Sequence, residues 1–354
     1  MVGNARAGGQ QSAVVCGESS LGYTCQHGLR NLPSPRCNQR EWIIMSGDIQ
    51  YYGGWIGPTM AMYELDLARR EGNVVTMQEA KERGILTIPP MAGSVGSKPV
   101  WELDKMVIGR QWLPGKQEIG DCVSWGMKHA GEVRNIFEIA NGQEEKWRPW
   151  FAPWIYAISR NQIGGGRIAG DGSLGIWVAK GVAEYGVLFE DDEGVPKYSG
   201  SIARQWGSPR NAGDNPVYKD FFDVAHDNKC YYVETKTVQE LVEMIKVYRR
   251  PVTIASMRGF YMKPREYKGY HVFTPSGQWA HQMCWIEYNE ELPALYRMNS
   301  WGPEAHGKPL RGETPGGAWN LLDDIDYELR AFDVEAFALV EFEGEPGKPD
   351  WNPI

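Results

Sequence analysis

GKQEIGDCVSWGMKHA, residues 115–130, is the stretch whose reading organises the rest of the chain. From it runs an apolar series at Val123, Met127, Ala130, Val133, Ile136, Phe137 and Ala140, recurring at three and four, which predicts a helix over 122–141 stopped by Asn141-Gly142. Cys122 opens that helix, directly after a Gly-bearing turn. Unpaired N–H groups and the helix dipole at such a start favour a thiolate, and the thiolate is the nucleophilic form of cysteine. A lone cysteine is ordinarily a small buried hydrophobe. A Gly-Asp-Cys turn at the head of an amphipathic helix weighs against that here.

A nucleophilic thiol needs a base. His129 is nearest in sequence, but seven residues along a helix is a rise of about 10 Å, beyond hydrogen-bond reach. His281 has the better context. It lies in GQWAHQMCWIEY (277–288), at the entry of an apolar strand, and Asn299 follows in RMNSWG (297–302). An Asn amide can accept the imidazole N–H, fix the tautomer and leave the other ring nitrogen for the thiol. The bland reading of such a histidine is a satisfied surface or core residue; the three-part pattern outweighs it.

Composition narrows the field around this site. The 354 residues are 42% hydrophobic and 23% charged, the balance of a globular protein with a substantial core. The net charge of −8, with scattered basic residues, argues against nucleic acid as a partner. No run reaches the roughly 20 apolar residues of a spanning helix, and the first 15 residues do not read as a secretory signal. A cytoplasmic or virion-associated protein is the expectation. The six cysteines are sparse and irregular, so reduced thiols are expected rather than a disulfide framework. Cys16, Cys25, His27 and Cys37 invite a metal reading, but their spacing matches no compact zinc pattern and ordinary thiols are expected. No metal or organic cofactor is implied.

Residues 1–44, rich in Gly, Ser, Gln, Asn and Arg, read as a flexible arm, or as a stretch preceding a true start at Met45. Residues 59–84 read as two short helices broken at Gly72-Asn73, the second opened by a Thr76/Glu79 capping box. Pro89-Pro90 and the glycines after it read as a linker. The expected division is an extension over 45–105, a pro-segment or assembly arm, and a catalytic domain over 106–354. Further helices are predicted at 152–160, 174–185 and 238–249, and strands in VTIASM (252–257), WAHQMCWIEY (279–288), ALYRMNS (294–300) and FALVEFE (337–343). Helices first and strands later predict an α+β protein with a site in the cleft between its halves.

The order Gln-x-x-Gly-x-Cys (117–122), His281 before an apolar strand, and then Asn-Ser-Trp-Gly (299–302) resembles the papain-like cysteine peptidases. FAPWIYAISRNQIGG (151–165) resembles that family's second helix, GDGSLGIWVAKGVAEYGV (170–187) its Gly-rich substrate strand and following helix, and RRPVTIASM (249–257) the first strand of its barrel half. The resemblance covers roughly residues 110–342. It implies a two-lobed fold, a helical lobe beside an antiparallel, barrel-like one. It also implies a peptidase acting through a Cys122 thioester, with His281 as base and acid and Asn299 orienting it. Trp301 would shield the His–Asn bond, Gln117 would share the oxyanion hole with the Cys122 N–H, and Gly170, Asp171, Gly172 and Ser173 would border the substrate cleft. Peptidases of this family are commonly made with an N-terminal segment that lies along the cleft, and 45–105 includes a candidate.

The chain departs from the family in places. Gln117 sits one residue closer to the cysteine than usual, Asp121 puts a carboxylate beside the thiol, and Val123 stands where the family has Trp. Two rival readings keep the fold: a structural or binding protein without turnover, such as a virion component, and an acyl-transfer enzyme that passes the acyl group to an amine. Beyond a peptide or protein substrate, the arm offers a possible assembly contact.

Overall fold

The computed structural model describes residues 53–89, 96, 98–143 and 146–342, which lie within one compact unit spanning Ser46–Ile354. The arm at 1–44, with Cys16, Cys25, His27 and Cys37, lies outside the described residues.

The helices, in chain order, are α1 (Pro58–Arg70), α2 (Met77–Glu82), α3 (Val100–Ile108), α4 (Cys122–Ala140), α5 (Ala152–Ala157), α6 (Gly175–Tyr185), α7 (Gly200–Trp206), α8 (Phe222–His226), α9 (Val238–Lys246) and α10 (Leu322–Ala331). The strands are β1 (Val75–Thr76), β2 (Cys230–Glu234), β3 (Val252–Phe260), β4 (Arg265–Tyr267), β5 (Tyr270–Val272), β6 (Pro275–Asn289), β7 (Ala294–Met298), β8 (Gly317–Leu321) and β9 (Glu335–Phe342). The architecture is α+β. The Thr76/Glu79 capping box is present, and Thr237 with Glu240 forms a second that opens α9. Each supplies two backbone donors with partners and stabilises its helix by about 1 kcal/mol. α5 runs into a π-helical turn at Ile158–Ile163, and α9 stops at Lys246, before the chain turns through Arg249 at a positive φ.

The nine strands form one sheet in the order β1-β2-β9-β3-β6-β7-β8-β5-β4. β1 pairs with β2 in parallel and β5 with β8 in parallel, while the other ladders are antiparallel. The expected barrel-like lobe is therefore corrected to an open, mixed sheet. The reason is visible in the alternation of side chains. Val252 and Ile254 of β3, Met283 and Trp285 of β6, and Ala336 and Ala338 of β9 belong to one cluster with Met77, Leu241, Met244 and Ile325 of α2, α9 and α10. Ala255, Cys284, Ile286, Phe337 and Leu339 point the other way, into the larger cluster with α4 and α6. Both faces carry apolar residues at a period of two, so helices cover both, and the sheet stays a middle layer rather than curling around one interior.

The stretch before α4 is part of this core. Ala61, Leu65, Ala68, Val100 and Leu103 are buried in the larger cluster, and β1 extends the sheet. A division at 105/106 would cut through α3. Glu64, Arg167 and Trp177 tie α1 to α6, with Arg167 Nη1 2.7 Å and Trp177 Nε1 2.9 Å from the two carboxylate oxygens. Among the described residues, no helix is long and apolar enough to cross a membrane.

α4 is the central element, and most of its length is buried, charged residues included. Lys128 is reconciled with burial by Glu132 at 2.6 Å and Glu190 at 2.9 Å. The helix lies against β6 at Gly126, where a Cβ would come within 3.1–3.2 Å of the Gln282 side chain and the Met283 carbonyl. That close approach brings the start of α4 to the middle of β6.

Candidate active site

Cys122 is the first residue of α4, with Asp121 at the N-cap position. The Asp121 carboxylate makes no cap hydrogen bond; it accepts from Trp125 Nε1 and Tyr198 Oη, each at 3.2 Å. Burial raises its pKa to about 8. The Gln282 N–H donates to Cys122 Sγ at 3.3 Å, and Gln282 Nε2 to the Val123 carbonyl at 3.1 Å, so β6 and α4 are joined at the thiol. His281 is the residue before Gln282 on β6, so its backbone adjoins the N–H that meets the sulfur.

His281 Nε2 is 2.8 Å from Asn299 Oδ1, and that oxygen also accepts the Ser300 N–H at 2.7 Å. The ring of Trp301 is stacked on the His281 ring, centroids 4.7 Å apart at 24°. Trp279 packs edge-on against Trp301 at 5.3 Å. His281 Nδ1 is buried with no hydrogen-bond partner among the described residues. The sequence-picked Cys122, His281, Asn299 and Trp301 thus come together from three separate segments, the start of α4, the middle of β6 and the stretch after β7.

Gln117 sits at the site, its N–H on the Ser300 carbonyl at 2.8 Å. Its amide is tied on both sides, Nε2 donating to the Ile119 carbonyl at 2.8 Å and Oε1 accepting from Ser300 Oγ. The Nε2 group carries a second hydrogen that this bond does not use. His129 lies elsewhere, edge-on between Trp112 and Trp125, with burial lowering its pKa to about 3.

Residues 171–173 run beside the Gly120 turn and the Gly53–Ile56 segment. Asp171 is paired with Arg204 at 3.0 Å, Gly172 accepts from Arg160 and donates to Tyr156 Oη, and Ser173 Oγ meets Ser159 Oγ at 2.9 Å. The Ser173 backbone pairs with the chain's own Gly53–Ile56 segment. Ser173 N–H donates to the Gly54 carbonyl at 2.8 Å, and the Ile56 N–H donates to the Ser173 carbonyl at 3.1 Å. Gly54 N–H donates to Ala280, next to His281, at 3.2 Å. A side chain at 54 is impossible, since a Cβ would lie 2.3 Å from the Gly120 carbonyl. The Trp55 backbone N–H acts to lower the pKa of the Cys122 thiol, and the Trp55 indole reaches Glu335.

This cover explains a departure from the expected thiolate. Cys122, His281 and Asn299 are all essentially without solvent contact. Burial, with the Asp121 carboxylate adding to it against the hydrogen bonds from Gln282 and Trp55, pushes the Cys122 thiol up to about 12. Burial pulls His281 down to about 4. In this covered arrangement the pair is thiol and neutral imidazole, because desolvation outweighs the helix start.

Sequence reading missed three residues here. Trp55 and Glu335 carried no local signal, being 280 positions apart. His306, seven residues after Asn299 and 3.0 Å from its Nδ2, lies in an irregular loop. The proximity of a third histidine to NSWG was its one available clue.

The fold is similar to that of xylellain, a cysteine protease from Xylella fastidiosa, at 16% identity and a TM-score of 0.51 over 84% of this chain and 98% of that one. Looser likenesses join it to procathepsin B S9 of Trypanosoma congolense (11% identity, TM-score 0.44, 77% of this chain and 84% of that). Another is digestive procathepsin L 3 of Tenebrio molitor (13%, 0.42, 80% and 89%). No family model matches the chain, and no curated protein matches it in sequence. The chain has the papain-like cysteine peptidase fold.

Proposed function

We propose that the protein is a cysteine peptidase in a covered, latent form. One observation carries the reading. Asn299 and Trp301 engage one side of the His281 ring, and the free Nδ1 is one residue from the N–H that touches the Cys122 sulfur. A tetrahedral step follows from these residues. Cys122 Sγ, losing its proton to His281 Nδ1, attacks a peptide carbonyl carbon and forms a C–S bond. The oxyanion takes the Cys122 N–H and the remaining Gln117 amide hydrogen. His281 then gives its proton to the leaving amine, the C–N bond breaks, and a water activated by the same ring hydrolyses the thioester. Asn299 accepts the Nε2–H throughout and stabilises the imidazolium.

The Gly53–Ile56 segment supports latency. The Trp55 N–H acts on the Cys122 thiol to lower its pKa, and the Gly54 oxygen is engaged by the Ser173 N–H. The segment therefore crosses beside the thiol with its Gly54 carbonyl held by Ser173 and turned from the oxyanion donors. The acyl-transfer alternative shares every step up to the thioester.

Peptide mapping after limited alkylation tests the reading, on full-length protein and on its Trp55→Ala variant. Selective labelling of Cys122 over Cys230 and Cys284 in the uncovered variant, with turnover of a fluorogenic peptide, supports it. Equal labelling and no turnover overturn it in favour of a binding protein of the same fold.

A further inference from the structure

The hydrogen bonds behind Asn299 extend further than the Cys122–His281–Asn299 set, and they have a direction. His306 Nδ1 is 2.8 Å from the Met262 carbonyl oxygen. A carbonyl can only accept, so Nδ1 carries the hydrogen. In a neutral ring Nε2 is then the lone pair, and it lies 3.0 Å from Asn299 Nδ2. Asn299 therefore shows its NH2 to His306 and its oxygen to the Ser300 N–H at 2.7 Å and to His281 Nε2 at 2.8 Å. An oxygen facing His281 Nε2 requires a hydrogen there, which leaves His281 Nδ1 as the bare lone pair.

We infer that His306 is a positioning residue, anchored on the Met262 carbonyl, that locks the Asn299 amide in the orientation leaving His281 Nδ1 free to take the Cys122 proton. The assignment rests on the peptidase reading for its consequence, and on hydrogen-bond geometry for its existence. Reversing any member puts two donors, or two acceptors, face to face inside the protein, at a cost of about 1–3 kcal/mol per unsatisfied group.

The surroundings keep the lock in its neutral form. The His306 ring is packed edge-on against Phe273 at 4.8 Å and Phe260 at 6.0 Å, with Trp301 at 6.1 Å. Burial lowers its pKa to about 4. On its outer side a cavity of about 320 Å³ is lined by Met262, Lys263, Pro264 and His271 together with His306. None of the described residues lining that cavity is acidic, so no carboxylate there favours a cation on the ring. A protonated His306 would turn an N–H against the Asn299 NH2 and release the amide to flip.

Nitrogen-15 NMR of the histidine rings in the resting full-length protein tests the assignment directly. His306 is expected as the Nδ1–H tautomer and His281 as the Nε2–H tautomer near neutral pH; the opposite tautomer at either ring overturns the proposal. His306→Leu removes the acceptor and should leave His281 exchanging between tautomers. In the Trp55→Ala background, kcat should fall about 10- to 100-fold while KM stays within about twofold. His306→Gln, whose oxygen can accept from Asn299, should recover most of the loss. An unchanged His281 tautomer and kcat in a folded His306→Leu variant would also overturn it. If the uncovered wild type turns over no peptide, the peptidase reading fails while the tautomer spectra still decide the role of His306.

Discussion

The Trp55 indole nitrogen lies 2.6 Å from the buried carboxylate of Glu335, across 280 positions of sequence. The same carboxylate accepts the Gly175 and Ile176 N–H groups at 2.9 and 2.7 Å, at the start of α6. It thus fastens the Gly53–Ile56 segment to the start of α6. Three donor groups on this short segment, the N–H groups of Gly54 and Ile56 and the Trp55 indole, are bonded within the protein while it lies in place.

Trp55→Ala should uncover the thiol. Alkylation of Cys122 is expected to rise at least about tenfold, since loss of about 1.4 kcal/mol of cover is enough for that factor. Burial is the main cause of the high thiol pKa, so the pH at which alkylation sets in should also fall. Iodoacetamide labelling rates across pH check both; unchanged rates would show that the segment does not control access.

Within that uncovered background the members of the site separate by role. His281→Ala should reduce turnover by about 10³-fold or more, because in the proposed mechanism this ring carries the proton. Asn299→Ala should leave a residual rate, since Asn299 orients without transferring protons. His129→Ala should leave turnover near the parent value, its ring lying between Trp112 and Trp125. An active His281→Ala beside an inactive His129→Ala reverses the assignment.

Truncation at Lys105 is expected to cost folding rather than release activity. It removes Ala61, Leu65, Val100 and Leu103 from the core and β1 from the sheet. Deleting buried side chains of this size costs about 2–5 kcal/mol each. Thermal unfolding of the truncated and full-length chains decides between loss of fold and a free-standing 106–354 domain.

Asp121 gives stability a pH dependence of known sign. Its pKa is raised from 3.8 to about 8, so the folded state binds more protons than the unfolded one between those values. Stability from this residue is full below about pH 4 and is lost as pH rises through about 8. Asp121→Asn should flatten that decline, measured as the difference in Tm between the two proteins from pH 5 to 8. A difference independent of pH would contradict the buried, protonated carboxyl.

Glu328 tests the support of the strand that delivers Asn299. Arg297 of β7 is fully buried, is bonded to Glu328 at 2.6 Å, and lies over the Trp285 ring at 4.7 Å. Glu328→Ala strands a buried guanidinium and should cost about 3–5 kcal/mol in chemical denaturation. A loss under about 1 kcal/mol would mean that water or another group takes over the charge.

Local patterns in the sequence determined α4 and its opening cysteine, the capping boxes of α2 and α9, and the strands around His281 and before Asn299, because periods of two and 3.6 and caps are short-range properties. They also singled out Cys122, His281 and Asn299 as one set, and the resemblance to papain-like peptidases added Trp301. Tertiary structure alone decided the rest. Whether the sheet closes depends on what covers each face, and apolar alternation in β3, β6 and β9 is equally compatible with a barrel wall or a middle layer. The protonation state of Cys122 depended on burial by a segment nearly seventy residues earlier, whose Gly53-Gly54-Trp55 carries no period or cap to announce its place. Desolvation, like the hydrogen-bond direction running from Met262 through His306 to His281, depends on the simultaneous position of groups far apart along the chain, and only folding fixes that position.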